Sequence, residues 1–206
     1  WLVVAGALPI DQSIGKFVDL HPIFDRMKKL GVRVALDTSG EPLDYWVKQG
    51  EAAILKPNAE ELASAVKRSL LTNGDVIEAA RELCSHGVEC VLASLGSDGM
   101  LAVTRSKAWG TRTTPVEVIN TVGAGDATLA GFLAAITKNP LAEGHEDIGV
   151  GFNVPVGAMA AVQWGAVKVS QPTSGLENID NLPEVFLTED VDLTAVLKEP
   201  AIYKEN

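Results

Sequence analysis

Short apolar, β-branched runs alternate with longer segments of helical period along the 206 residues. That alternation is the mark of an α/β domain built on a mostly parallel sheet flanked by helices. Residues 2–6 predict a strand. Residues 14–30 predict a helix with Phe17, Val18, Ile23, Phe24, Met27 and Leu30 on its apolar stripe, closed by Gly31. A buried strand over 32–36 ends at Asp37, a short helix covers 43–49, and a strand covers 52–55. Asn58 then caps a helix through about residue 67, with Glu61 three positions on as its capping-box partner. The pattern continues with a helix over 76–86, a strand over 89–95, a hairpin partner over 99–104 and a last short strand over 116–119. Two helices rich in small residues follow, over about 124–137 and 148–164. Residues 170–206, with Pro172, Pro183 and Pro200, predict an irregular tail holding one helix.

Composition narrows the classes of function. Apolar residues at 47% and charged residues at 21% are a globular mixture rather than a disordered one. Seventeen Lys and Arg against 27 Asp and Glu give a net charge of −10, which argues against a nucleic-acid or anionic-membrane partner. An anionic ligand would need a local site of its own. Cys84 and Cys90 are too few for a disulfide framework and point to a reducing, cytoplasmic setting. The sequence holds no apolar run of the ~20 residues that span a bilayer. Length predicts one domain over 1–206, and Trp1, which is not an initiator residue, suggests a portion of a longer protein.

Parallel sheets place ligands beyond the carboxyl ends of their strands. Three such ends carry chemistry here: Asp37-Thr38-Ser39-Gly40, Lys56-Pro57-Asn58, and Ser94-Leu95-Gly96-Ser97-Asp98-Gly99. The most informative segment is the loop Asn120-Thr121-Val122-Gly123-Ala124-Gly125-Asp126. Two glycines uncover the backbone, and the next helix aims free N–H groups and a positive dipole end at the loop, a ready anion site. A carboxylate beside it, Asp126, opposes anion binding unless it takes the proton of an attacking hydroxyl. A tight turn followed by an Asp that complements the dipole explains the same residues, and spacing alone leaves the two readings about even. The segment is neither G-x-G-x-x-G nor a Walker A sequence.

Thr121 to Asp126, followed by a small-residue helix and Gly131-Phe132, resembles the C-terminal signature of the PfkB-type (ribokinase-like) sugar kinases. Ala5-Gly6-Ala7-Leu8-Pro9 is similar to that family's S-G-S-L-P segment. Residues 36–43 look like the D-[TS]-S-G-E-A-L of its phosphofructokinase branch. Residues 56–62 carry K-P-N-x-x-E, and 94–99 the S-L-G-x-x-G nucleotide loop. The resemblance implies a ribokinase-like fold and ATP-dependent phosphoryl transfer to a phosphorylated ketohexose, fructose 1-phosphate foremost. It implies Asp126 as catalytic base, with Gly123, Ala124 and Gly125 as anion hole. Lys56 would lie near the ATP phosphates, with Asn58 and Glu61 ordering Mg²⁺ and its waters. Ser94, Gly96, Ser97, Gly99, Asn120 and Asn153 would lie on the nucleotide side, and Asp37 would reach toward the substrate.

Some features depart from the family pattern. Asn120 stands where many members carry Asp, Gly151 where an Arg is usual, and Pro155 falls inside an expected helix, where it would remove a hydrogen bond or mark a kink. The family's N-terminal third, with its first strands, most sugar contacts and lid, has no counterpart here. Weak or absent sugar kinase turnover is expected if the protein starts at Trp1. Alternatives remain: another acceptor, such as fructose 6-phosphate or tagatose 6-phosphate, or a nucleotide-binding module without catalysis. Pairing into a homodimer stays open. His21, His86 and His145 have no metal-ligand spacing, and the acidic run 184–192 predicts a solvated face.

Overall fold

The computed structural model describes residues 1–141 and 150–204. A seven-stranded sheet is ordered β1 (Leu2–Ala5), β4 (Val34–Asp37), β5 (Ile54–Leu55), β7 (Cys90–Ser94), β8 (Met100–Val103), β9 (Ala108–Thr113) and β10 (Val185–Thr188). The first four pair in parallel and the rest antiparallel, so β1, β4, β5, β7 and β9 all run one way. Side chains alternate across β7: Val91 and Ala93 enter one core while Cys90 and Leu92 enter the other. The first core is closed by α1 (His21–Lys29), α2 (Glu41–Gln49), α3 (Ala59–Val66) and α4 (Asn73–Ser85), and its largest buried groups are Trp46 and Phe24. Each such side chain is worth about 1.5–3 kcal/mol when fully buried.

The second core lies under α5 (Ala124–Lys138) and α6 (Val154–Val169). Their small residues are there for close approach. A Cβ on Gly131 would come within 2.7 Å of the Ala160 carbonyl oxygen, and one on Gly157 within 2.7 Å of Phe132. That packing leaves little room to slide, so the start of α5 is fixed relative to α6.

Several expectations are corrected. The helix expected over 14–30 begins only at His21, because Pro22 lacks a donor and its ring clashes with residue 18 of any longer helix. The preceding residues make a hairpin of β2 (Ile10–Asp11) and β3 (Lys16–Phe17). No strand forms over 116–119; Val118 and Ile119 are exposed, and Ile119 and Asn120 both donate their N–H to the Val169 carbonyl. The tail has no helix among its described residues. It forms β10 on the main sheet and β11 (Val196–Ala201), which pairs with β6 (Leu70–Thr72). The acidic run is not purely solvated: Glu189 accepts a 3.1 Å hydrogen bond from the buried Trp109 indole. Pro155 neither kinks nor breaks α6. It occupies the first turn, where the missing N–H has no intrahelical acceptor to lose. The expected start of that helix at residue 148, and His145, lie outside the described residues.

Candidate active site

At the carboxyl ends of the parallel strands, one open cleft of about 340 Å³ is lined by Gly6, Ala7, Asp37, Thr38, Ser39, Lys56, Asn58, Glu61, Ser94, Gly123, Gly125 and Asp126. The topology assembles it. The register Ala5↔Asp37 sets the residues beyond β1 beside those beyond β4, and the Gly6 N–H donates to the Asp37 carbonyl at 2.8 Å. β5 delivers Lys56, and a parallel bridge between Asn58 and Ser94 ties the next two strand ends together.

Lys56 is buried and its Nζ lies 3.1 Å from Asp37 Oδ1. Burial pushes the Asp37 carboxyl above the usual carboxylate range. The Lys56 ammonium opposes that shift, while the Glu61 and Asp126 charges add to it. Asn58 and Glu61 form both halves of a capping box at the start of α3. Asn58 Oδ1 accepts the Glu61 N–H at 2.8 Å, and Glu61 Oε2 accepts the Asn58 N–H at 2.9 Å. Across the cleft, α5 starts at Gly123 with no side-chain cap. The Ala124 N–H turns back to the Thr121 carbonyl, and the next first-turn donors have no partner within the helix. Asp126 is exposed on that first turn and faces the cleft.

Gly123 has φ +83°, and a Cβ there would overlap the Ser174 carbonyl oxygen. A Cβ on Gly125 would stand 3.0 Å from Lys56 Nζ and 3.5 Å from Asp37 Oδ2, in the space between the two halves of the cleft. Gly125 therefore leaves backbone where a side chain would fill the cradle, while Gly123 is held to glycine by its positive φ and by Ser174 behind the loop.

Of the residues singled out in the sequence, Asp37, Lys56, Asn58, Glu61, Ser94, Gly123, Gly125 and Asp126 meet here, and Ala124 adjoins them. Others lie off the cleft lining. Gly96 and Ser97 sit in a single 3-10 turn over Gly96–Asp98, where the Ser97 carbonyl and the Asp98 carboxylate hold Lys198. Gly99 is packed so closely on β9 that a Cβ would overlap the Thr111 carbonyl oxygen. Asn120 spends its side chain on backbone, donating to the Pro172 carbonyl beyond α6 at 2.8 Å and accepting from the Val122 N–H at 2.9 Å. Asn153 caps α6 by accepting the Val156 N–H. Thr38 and Ser39, part of the strand-end segment picked out in the sequence, also line the cleft with Gly6 and Ala7, though sequence reasoning gives none of the four a role. The signal for them is their place just after two strands that neighbour each other in a parallel sheet.

A cleft at the carboxyl ends of parallel strands, between two layers of helices, defines an α/β domain of the ribokinase-like kind. The chain belongs to the pfkB family of carbohydrate kinases, whose model matches residues 18–149. It is 43% identical over 140 residues to a 1-phosphofructokinase of Haloferax volcanii, an alignment covering 65% of this chain and 41% of that protein. It is 32% identical over 165 residues to the ATP-dependent 6-phosphofructokinase isozyme 2 of Escherichia coli, covering 80% and 51%. Phosphofructokinase-2 from Escherichia coli, solved in complex with potassium, superposes with a TM-score of 0.70 at 27% identity, covering 87% of this chain and 53% of that one. The chain thus spans about half the length of the curated relatives it matches. No described helix is long and apolar enough to cross a membrane.

Proposed function

We propose that this chain carries the nucleotide-binding and catalytic part of an ATP-dependent kinase for a phosphorylated ketohexose, with fructose 1-phosphate converted to fructose 1,6-bisphosphate. One observation carries the reading: Asp126, an uncapped helix start and the Lys56–Asp37 pair face one another across a single cleft. The choice of acceptor rests on the likeness to the Haloferax 1-phosphofructokinase. The isozyme 2 likeness keeps fructose 6-phosphate as the comparison acceptor.

The Asp126 carboxylate takes the proton of the acceptor hydroxyl as it attacks the γ-phosphorus. The first-turn amides of α5, with the 123–125 backbone, stabilise charge gathering on the phosphoryl oxygens. Lys56 exchanges part of its pairing with Asp37 for the phosphates of ATP. Glu61 and Asn58 fit Mg²⁺ as an oxygen donor set that leaves most positions to water and phosphate, since the capping box uses only one Glu61 oxygen. The ion, when bound, neutralises phosphate charge.

The test is ADP release with fructose 1-phosphate, fructose 6-phosphate and tagatose 6-phosphate, on the 206-residue chain and on the chain extended upstream of Trp1 along its encoding frame. Asp126→Asn is expected to lower kcat by roughly 10²–10⁴-fold with KM nearly unchanged. Unchanged turnover removes Asp126 from the chemistry. No turnover with any acceptor in either form makes the chain a nucleotide-binding module instead.

A further inference from the structure

Lys168 is fully buried on the last turn of α6. Among the described residues no carboxylate lies within 4.0 Å of its Nζ; its polar contact is the Asn120 carbonyl oxygen at 3.2 Å. A buried ammonium with one neutral acceptor is costly, so its placement calls for an anion that arrives from outside. The geometry says where. Lys168 Cε lies 3.5 Å from the point where a Gly123 Cβ would stand, and Gly123 lines the cleft. Gly123 therefore lies between this cation and the candidate phosphate site, and the low-dielectric packing around the lysine lets its field act over that distance.

We propose that Lys168 is a positioning residue of the phosphate-binding loop, holding the Asn120 carbonyl and setting a fixed positive charge behind Gly123. This rests on the kinase reading above for its catalytic consequence. In a trans peptide the carbonyl and the following N–H point opposite ways, so capturing the Asn120 oxygen turns the Thr121 N–H away from the buried lysine. The Asn120 side chain fixes the same loop from its other end, through Pro172 and Val122. Close packing of α5 on α6 holds the lysine and the start of α5 at a constant separation. The α6 carboxyl-terminal dipole helps accommodate the charge.

The experiment compares wild type with Lys168→Met, which keeps the length and removes the charge. Pyrophosphate is titrated while the ¹⁵N–¹H signals of the Gly123 and Gly125 amides are followed. Wild type is expected to saturate, and the variant to bind about tenfold more weakly or worse. Turnover should fall in kcat with the ketohexose-phosphate KM within twofold. Equal pyrophosphate affinity in a cooperatively folding variant overturns the proposal, as does a variant that only lowers the melting temperature. Should the variant not fold, the wild-type Lys168 ¹⁵Nζ resonance decides: a shift on pyrophosphate addition supports the role, and a fixed signal while Gly123 moves overturns it. Wild type that shows no pyrophosphate shift at all overturns it too. If pyrophosphate binding depends on Lys168 while no acceptor is phosphorylated, the kinase reading falls and Lys168 stands. Normal turnover in Lys168→Met gives the converse.

Discussion

Two alanine substitutions two residues apart separate folding from phosphate binding. At Gly123 an alanine meets two penalties. Its φ of +83° costs an L residue about 1–2 kcal/mol. Its Cβ would overlap the backbone oxygen of Ser174, so the 170–175 turn must shift, an overpacking cost of about 1–3 kcal/mol. Gly123→Ala is therefore expected to lose roughly 2–5 kcal/mol and most phosphate binding together. At Gly125 the φ is not in the left-handed region, and the nearest atom is the end of the Lys56 side chain at 3.0 Å, which can give by a few tenths of an ångström. Alanine in place of a helical glycine gains up to about 1 kcal/mol. Gly125→Ala should hold wild-type stability within about 1 kcal/mol, yet its methyl stands in the space that the phosphoryl group needs. A displacement near 1 Å there costs roughly 10²-fold in turnover. Urea unfolding midpoints and ADP-release rates measured on the same preparations give both numbers. Wild-type turnover in Gly125→Ala refutes the cradle, and wild-type stability in Gly123→Ala refutes the loop geometry.

The Asp37 carboxyl is held above its ordinary range by burial, so the stability it contributes is present below the ordinary carboxylate pKa and lost as pH rises through the raised one. Asp37→Asn, which cannot ionise, should therefore gain stability relative to wild type as pH rises above the ordinary carboxylate range. A relative loss over that rise in urea melts means that the Lys56 attraction outweighs burial. Burial also pushes the Cys84 thiol up to about 11, leaving about 1% thiolate at pH 9, and pushes the Cys90 thiol well above its ordinary value. Both should react with a disulfide reagent only at the rate of unfolding, and rapid labelling of native protein contradicts their placement.

Much of the cleft is legible because its chemistry sits directly after apolar runs: Asp37 after β4, Lys56 after β5, Ser94 at the end of β7. The Asn58-x-x-Glu61 spacing likewise marks its helix start correctly. The illegible parts depend on partners far along the chain. β9 carries Gly110 and Arg112 and reads as a loop until β8 and β10 flank it, and β11 gains its strand only from β6. The hairpin over β2 and β3 escapes the periodicity, although Pro22 forbids the longer helix. Off-cleft placement of Asn120, Asn153 and Gly99 has a common cause. Each spends its side chain, or its lack of one, on the backbone beside it. Residue type and spacing do not reveal such backbone contacts.

The Asn58–Glu61 pair carries the same ambiguity further. Capping and metal binding look like competing explanations, and the hydrogen bonds show that they compete for few lone pairs. Asn58 Oδ1 gives one lone pair to the Glu61 N–H, and Glu61 Oε2 gives one to the Asn58 N–H. A carboxylate offers about four acceptor sites and an amide oxygen two, so roughly three and one remain, on side chains that both line the cleft. On the proposed kinase reading, the box would aim these oxygens and fix both side chains ahead of an ion, as orienting hydrogen bonds do for metal ligands in general. The two roles then separate by substitution. Asn58→Ala removes the cap and should cost about 1 kcal/mol whether or not Mg²⁺ is present. Glu61→Gln can still accept the Asn58 N–H, so it should fold nearly as wild type while raising the Mg²⁺ concentration needed for half-maximal turnover. If Glu61→Gln leaves that concentration unchanged, the pair is a cap alone.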